Sequence, residues 1–184
     1  LPCGILRYPF VETKYNFEYV LAFLGSTIAH ELIHGFDDDG SKYDKNGNYV
    51  SWWSKKDKEK YLQKQNNMIK LYNNILKKDG YDIDSKLSLG ENLADNGGLS
   101  ICEDLLTEKI KNKKGNERDY IIKNFYKYYC YQWKDKMKKQ AKLEQMKTDE
   151  HLFSKFRCNG TLMNSELFIK TFDINKEDGM FNKN

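Results

Sequence analysis

Two histidines four positions apart, His30 and His34, with Glu31 directly after the first, form an HExxH pattern in an apolar stretch of the chain. In a helix, residues i and i+4 lie one turn apart on the same face, so both imidazoles can bind one Zn²⁺ at about 2.0–2.1 Å. Glu31 would then lie beside the metal, where its carboxylate can take a proton from a zinc-bound water. The pattern predicts a metallopeptidase centre; the alternative is an ordinary amphipathic helix with two partly buried histidines.

A zinc centre of this kind needs a third protein ligand. The longer metzincin pattern is excluded, because Asp37 and Gly40 stand where it requires a glycine and a histidine. The candidates that remain are His151, the last of the three histidines, and a carboxylate of Glu91 or Asp95. Glu91 and Asp95 are four residues apart and share a helix face. One of them could bind the metal while the other accepts the free ring N–H of a ligand histidine, which fixes the tautomer.

Apolar periodicity predicts the helices that would carry these residues. One helix is expected from about 17 to 36, with Gly35 as its stop signal. Ser88 and Glu91 fit a capping box, which predicts a helix start there and gives Glu91 a structural alternative to metal binding. A further helix is expected over 54–78, with an inner face formed by Tyr61, Leu62, Met68, Ile69, Tyr72 and Leu76.

The remaining segments predict a mainly α fold (α+β) with a small sheet piece at the N-terminal edge. Residues 1–13 read as an extended segment or short strand, and a long helix is expected over 118–146. The polar residues 173–184 predict a disordered tail. Because three ligands must approach one ion, we expect the HExxH helix and the helix that follows Ser88 to pack side by side.

Composition limits the function classes. The length of 184 residues favours one domain, and the net charge of +4 lacks the concentrated arginine and aromatic stripe typical of nucleic-acid binding. The longest uncharged apolar stretch, 19–29, is too short for a membrane span of about 20 residues, and no signal-peptide pattern opens the chain. The cysteines contain no CxxC pair, which argues against a zinc knot or a redox motif; they are Cys3, Cys102, Cys130 and Cys158.

Five segments carry motifs of one known family. In chain order they are 4–10, 30–38, 52–53, 90–99 and 151–168, and the block GENLADNGGL from 90 to 99 is far more specific than HExxH. Together they extend over about residues 2–172 and resemble the neprilysin and endothelin-converting-enzyme family of zinc metallopeptidases. The resemblance implies a gluzincin-type, thermolysin-like catalytic domain over 1–172, the C-terminal part of the family's ectodomain.

The resemblance implies a complete set of site residues. His30, His34 and Glu91 would hold one Zn²⁺ per chain, and Glu31 would act as the general base. Asp95 would orient a ligand histidine, and descriptions of the family often give it a proton-donor role.

Two residues near the C-terminus complete this set. His151 would stabilise the oxyanion of the tetrahedral intermediate, and Arg157 would hold a backbone carbonyl of the substrate. The alternatives are that His151 is an exposed loop residue and that Arg157 pairs with a surface acid.

The chain also departs from the family pattern. The strand that precedes the zinc helix and grips the substrate, and the N-terminal helical lobe that closes the active-site chamber, are expected to be lacking. Two family cysteines correspond to Asn67 and Ile174, and the family partner of Cys130 would lie in the lobe. We therefore do not expect three framework disulfides, and the lobe could join the chain in trans.

The function expected is that of a zinc-dependent endopeptidase that hydrolyses peptide bonds in small peptides through a zinc-bound water. One alternative is a truncated, inactive zinc-binding remnant of the same family. Another is a lysine-rich module that binds acidic partners through residues 134–147, in which case salt would weaken binding while a chelator would not. The resemblance implies an extracellular or membrane-anchored ectodomain.

Overall fold

The computed structural model describes residues 2–11 and 14–182, apart from the side chains of Lys139, Met146 and Lys147. The described residues confirm the mainly helical fold. Serine caps begin two of the helices, because Ser54 accepts the N–H of Asp57 and Ser165 that of Phe168. The α-helices of the described ranges are α1 Phe17–Val20, α2 Ser26–Ile33, α3 Lys55–Lys78, α4 Leu89–Lys109, α5 Gly115–Gln132, α6 Lys139–Thr148, α7 Ser154–Leu162 and α8 Glu166–Thr171.

The helix predicted over 17–36 is present but not uniform. α1 continues through a π-helical turn at Leu21–Gly25 into α2, and a 3₁₀ turn at His34–Phe36 ends it. A π-helical turn contains more residues than an α-helical one and so changes the face that α2 presents relative to α1. The HExxH residues lie on the last turn of α2 and the 3₁₀ turn that follows.

α2 packs side by side with α4, as the sequence predicts, and two glycines of α4 allow the close approach. A Cβ on Gly98 would lie 2.9 Å from the backbone nitrogen of His30 and 3.2 Å from the carbonyl oxygen of Ser26. A Cβ on Gly97 would lie 2.9 Å from the side chain of Ile33. The Gly-Gly pair in the 90–99 block therefore sets how near the two ligand-bearing helices come.

Two apolar clusters hold the helices together. The main core lies where α1, the π-helical turn, α4 and α5 meet, and its fully buried side chains include Phe23, Leu99, Leu106, Phe125, Tyr126 and Tyr129. The second cluster joins α3 to α7 and contains Leu71, Tyr72, Leu76, Leu152, Phe153 and Phe156. Tyr72 and Leu76 confirm part of the predicted inner face of α3. Leu62 is 47% exposed and that assignment is wrong, because the second cluster contacts α3 only from Met68 onward.

Both ends of the chain differ from the predictions. At the N-terminus the described residues form a 3₁₀ helix, Cys3–Leu6, and not a strand. The isolated bridge between Tyr43 and Tyr49 is the β-pairing found in the described part of the chain, so the expected sheet piece is absent there. Within the predicted tail, the apolar residues Ile174 and Met180 pack against the main core. Residues 183–184 lie outside the described ranges.

The long helix predicted over 118–146 is two helices. α5 ends at Gln132, residues 133–138 are not helical, and α6 begins at Lys139. The break follows Trp133, whose ring stacks against Arg157, a residue of α7. α7 and α8 were not predicted, since their short apolar patterns lack helical periodicity.

Across residues 2–11 and 14–182, no helix has both the length and the apolar character needed to cross a bilayer.

We predict that Gly98→Ala destabilises the fold. The added methyl would meet backbone atoms of α2, which cannot move aside as a side chain can, so the free energy of unfolding should fall by about 1–3 kcal/mol despite the better helix propensity of alanine. Chemical denaturation of the zinc-free protein measures this. Gly179→Ala is the control, because its Cβ would meet nothing within 4 Å. Equal stability of the two variants would contradict the role given to Gly98.

Candidate metal centre

Three side chains from α2, the 3₁₀ turn and α4 converge with their ligand atoms. His30 Nε2 lies 3.4 Å from Glu91 Oε2, His34 Nε2 lies 3.4 Å from Glu91 Oε1, and the two Nε2 atoms are 3.0 Å apart. Two ligands at the usual zinc distance in a tetrahedral site are about 3.3 Å apart. The group His30–His34–Glu91 therefore has the size of a zinc site.

Glu91 supports this fit through an oxygen without a hydrogen bond. Its Oε2 is buried and receives none, although His151 Nε2 at 3.1 Å and Arg157 Nη2 at 3.2 Å lie nearby. A buried carboxylate oxygen without a donor is costly, and a cation at this position would remove the cost. Ser88 makes no side-chain cap to α4, so the capping-box interpretation of Glu91 is wrong.

Each histidine of the group is oriented by a carboxylate on its other ring nitrogen. Asp95 Oδ1 lies 2.8 Å from His30 Nδ1, and Asp37 Oδ2 lies 2.8 Å from His34 Nδ1. Such a bond fixes the proton on Nδ1, so that Nε2 presents its lone pair to the centre. Asp95 was predicted as an acid of this kind, whereas Asp37 was not; the signal for Asp37 is an acid three residues after the second histidine.

These acids give the centre a negative field. Burial lowers the pKa of His30, but the hydrogen bond with Asp95 and the nearby Glu91 carboxylate outweigh burial and raise the pKa to about 9. Burial raises the pKa of Glu91, but the nearby His30 and the charge of Arg157 outweigh it, so the net shift is downward. A field that holds a proton this strongly also attracts a divalent cation.

Arg157 of α7 joins the centre through Asp95. Its Nε and Nη2 lie 2.7 Å from the two oxygens of the Asp95 carboxylate, a bidentate pair. Burial acts to raise the pKa of Asp95, but the hydrogen bonds from Arg157 and His30 outweigh it and lower the pKa. Asp95 is therefore an ionised, buried link between α2 and α7, and the alternative of a surface ion pair for Arg157 is wrong.

His151 and Glu31 face one cavity of about 290 Å³, which is also lined by Thr27, Trp133 and Arg157. Glu31 is exposed. His151 Nδ1 lies 2.7 Å from Asp149 Oδ1, which the sequence analysis missed, and Gln145 Nε2 donates to the His151 carbonyl. His151 groups with Glu91 and Glu150 and not with the other two histidines. Of the two candidates for the third ligand, Glu91 is thus the one that lies beside both imidazoles.

A model of peptidase family M13 matches residues 1–184, the whole chain. The chain belongs to this family. Neprilysin-11 of Caenorhabditis elegans is 33% identical over an alignment of 179 residues, and the match covers 93% of the chain and 21% of that protein. The neutral endopeptidase of Lactococcus lactis is 32% identical over 180 residues, which are 98% of the chain and 27% of that protein. The resemblance to neprilysin-type zinc metallopeptidases is confirmed.

Solved structures agree with these relatives. The zinc metalloprotease Zmp1 of Mycobacterium tuberculosis, in complex with an inhibitor, matches with a TM-score of 0.88 and 27% identity. The match covers 98% of this M13 chain and 29% of Zmp1. The fold of a zinc metallopeptidase catalytic domain is therefore confirmed, and the chain spans between 21% and 29% of the length of these three proteins.

We predict that Asp95→Asn weakens zinc binding about 10–100-fold, the usual cost of losing a carboxylate behind a ligand histidine. The amide keeps the size of the side chain but loses the charge that Arg157 and His30 share. Zinc competition with a chromophoric chelator measures the affinity. Asp104→Asn is the matched control, since Asp104 is an exposed acid on the same helix. An affinity unchanged by Asp95→Asn would contradict the link between Asp95 and the metal ligands.

Proposed function

We propose that this M13 chain is the zinc-binding catalytic part of an endopeptidase that hydrolyses peptide bonds in small peptides. The observation that carries the proposal is the group His30–His34–Glu91, which lies against the cavity that Glu31 and His151 face. His30, His34 and Glu91 would hold one zinc ion. When bound, zinc supplies a Lewis acid that polarises a peptide carbonyl and lowers the pKa of a water.

Glu31 is the proposed general base. It follows a ligand histidine in α2, is exposed, and lines the cavity. Its carboxylate would accept a proton from the attacking water and then pass that proton to the amine nitrogen of the leaving peptide. The position in α2 keeps this carboxylate adjacent to the metal ligands without making it one of them.

His151 and Arg157 are the proposed substrate contacts. Asp149 fixes the imidazole of His151 from the Nδ1 side, so that Nε2 faces the centre; a donor there would stabilise the oxyanion, which is worth about 3–4 kcal/mol in other hydrolases. The bidentate pair with Asp95 uses Nε and Nη2 of Arg157 and leaves Nη1 outside that pair. We assign Nη1 to a backbone carbonyl of the substrate.

A second candidate is a zinc-binding remnant without peptidase activity, with the same ligands. The ligand group and the acids that orient its histidines are the same for both candidates, so zinc binding alone does not separate them.

We predict that Glu31→Gln lowers the rate of peptide hydrolysis by about 10²–10⁴-fold while zinc content stays at one per chain. Digestion of a mixture of short peptides by the zinc-loaded protein, followed by mass spectrometry, gives the rate, and elemental analysis gives the metal. Glu108→Gln, an exposed acid of α4, is the control.

Two outcomes separate the candidates. Wild-type protein that retains one zinc but cleaves no peptide, or a Glu31→Gln rate equal to the wild type, would favour the remnant. Loss of zinc in Glu91→Gln, measured by the same analysis, tests the ligand set independently of activity.

A further inference from the structure

The lysine-rich segment 134–148 borders the cavity of the candidate centre. Trp133, immediately before it, and His151, shortly after it, both line the cavity together with Glu31 and Arg157. The chain therefore leaves the cavity wall at one end of the segment and returns to the wall at the other. Residues 134–138 are exposed and α6 follows them.

Contacts at both ends fix the segment at this place. The guanidinium carbon of Arg157 lies 4.6 Å from the ring centroid of Trp133, which holds the start of the segment against α7. Near its end, Gln145 Nε2 donates to the carbonyl oxygen of His151 at 3.0 Å, and Lys142 Nζ lies 5.4 Å from the ring of Phe153. The segment is tied to the same elements that carry the proposed substrate contacts.

The segment contains the whole net charge of the chain. Residues 134–148 include six lysines, one aspartate and one glutamate, so the segment has a net charge of +4. The net charge of the whole chain is also +4. The rest of the sequence is neutral. Lys134, Lys136 and Lys138 are exposed and directly follow Trp133 of the cavity wall. Because the Debye length is about 8 Å at physiological ionic strength, the field of the first of these lysines extends to the Trp133 side of the cavity.

We propose that this segment is a charged rim that selects peptides with acidic residues flanking the scissile bond. The inference rests on the proposed function and names its substrate class. Lysines without arginine attract carboxylates through charge and make no bidentate contacts, which suits varied acidic peptides. Acids oppose this attraction on the α2 and α4 side of the cavity, which Glu31 and Asp95 line, and at the His151 end, where Asp149 is paired with His151 and Glu150 is exposed. The preference therefore belongs to the Trp133 side of the cavity.

The test uses three fluorogenic peptides with one scissile bond and flanks of glutamate, glutamine or lysine. With zinc-loaded protein at low salt, kcat/KM for the glutamate peptide should exceed that for the glutamine peptide by roughly tenfold, and the ratio should approach one at about 1 M salt. Lys134→Gln/Lys136→Gln/Lys138→Gln should bring the ratio close to one and leave the glutamine peptide unaffected.

The matched control is Lys77→Gln/Lys78→Gln/Lys176→Gln, which removes the same charge from exposed lysines around a different cavity. It should keep the preference. Equal and measurable rates for the three peptides, or an equal loss of preference in both triple variants, would overturn the proposal.

A binding measurement separates this proposal from the peptidase assignment. Fluorescence anisotropy of the same labelled peptides with zinc-loaded Glu31→Gln protein should show the same order of affinity even if the wild type hydrolyses nothing. In that case the peptidase assignment fails and the charged rim stands. Binding to phosphatidylserine vesicles that the glutamate peptide does not displace would overturn the rim in favour of a lipid surface.

Discussion

The buried carboxylate of Asp95 is the interaction on which the rest of the site depends. It binds His30 on α2 and Arg157 on α7 while it belongs to α4, so one side chain fixes the relative positions of three helices. A buried charge is tolerated only when it is paired, and removal of one partner of such a pair costs about 3–5 kcal/mol. The same carboxylate therefore orients both side chains, the imidazole of His30 and the guanidinium of Arg157.

Close helix packing brings the metal ligands within reach of each other. Gly97 and Gly98 let α4 approach α2 until a Cβ would contact its backbone, and this spacing puts the Glu91 carboxylate beside both imidazoles. Glu91 Oε2 then remains buried without a hydrogen bond. Carboxylates lie beside both histidines, and this arrangement of imidazoles and carboxylates suits a divalent cation.

The chain spans a quarter or so of its relatives, between 21% and 29%, and yet contains all the residues proposed for metal binding and proton transfer. His30, Glu31, Asp95 and His151 line one cavity together with Trp133, the residue that precedes the lysine-rich segment. The proposals made above therefore involve different parts of the chain: the metal ligands and the general base lie on α2, the 3₁₀ turn and α4, and the charged rim lies between α5 and α7.

The sequence by itself determined the local features of the site. The i, i+4 spacing of His30 and His34 works within a single helix, and the GENLADNGGL block supplies two acids and two glycines of α4 in one pattern. Both signals are short-range, and family membership follows from them. The long helices were also predictable, because each buries one face over many turns.

Tertiary structure decided which partners these residues have. The choice of Glu91 over His151, the pairing of Arg157 with Asp95, and the role of Asp37 depend on contacts between segments or on side-chain direction that no periodicity records. The break after Trp133 came from the same cause, since its ring packs on Arg157 of another helix. The C-terminal residues from 173 onward are mostly polar, but Ile174 and Met180 pack against the main core, a contact with distant residues that the local composition does not indicate. A sequence pattern shows which residues share one face of a helix. The free energy of a buried charge depends instead on the groups that contact it from other elements, and the pattern does not show these groups.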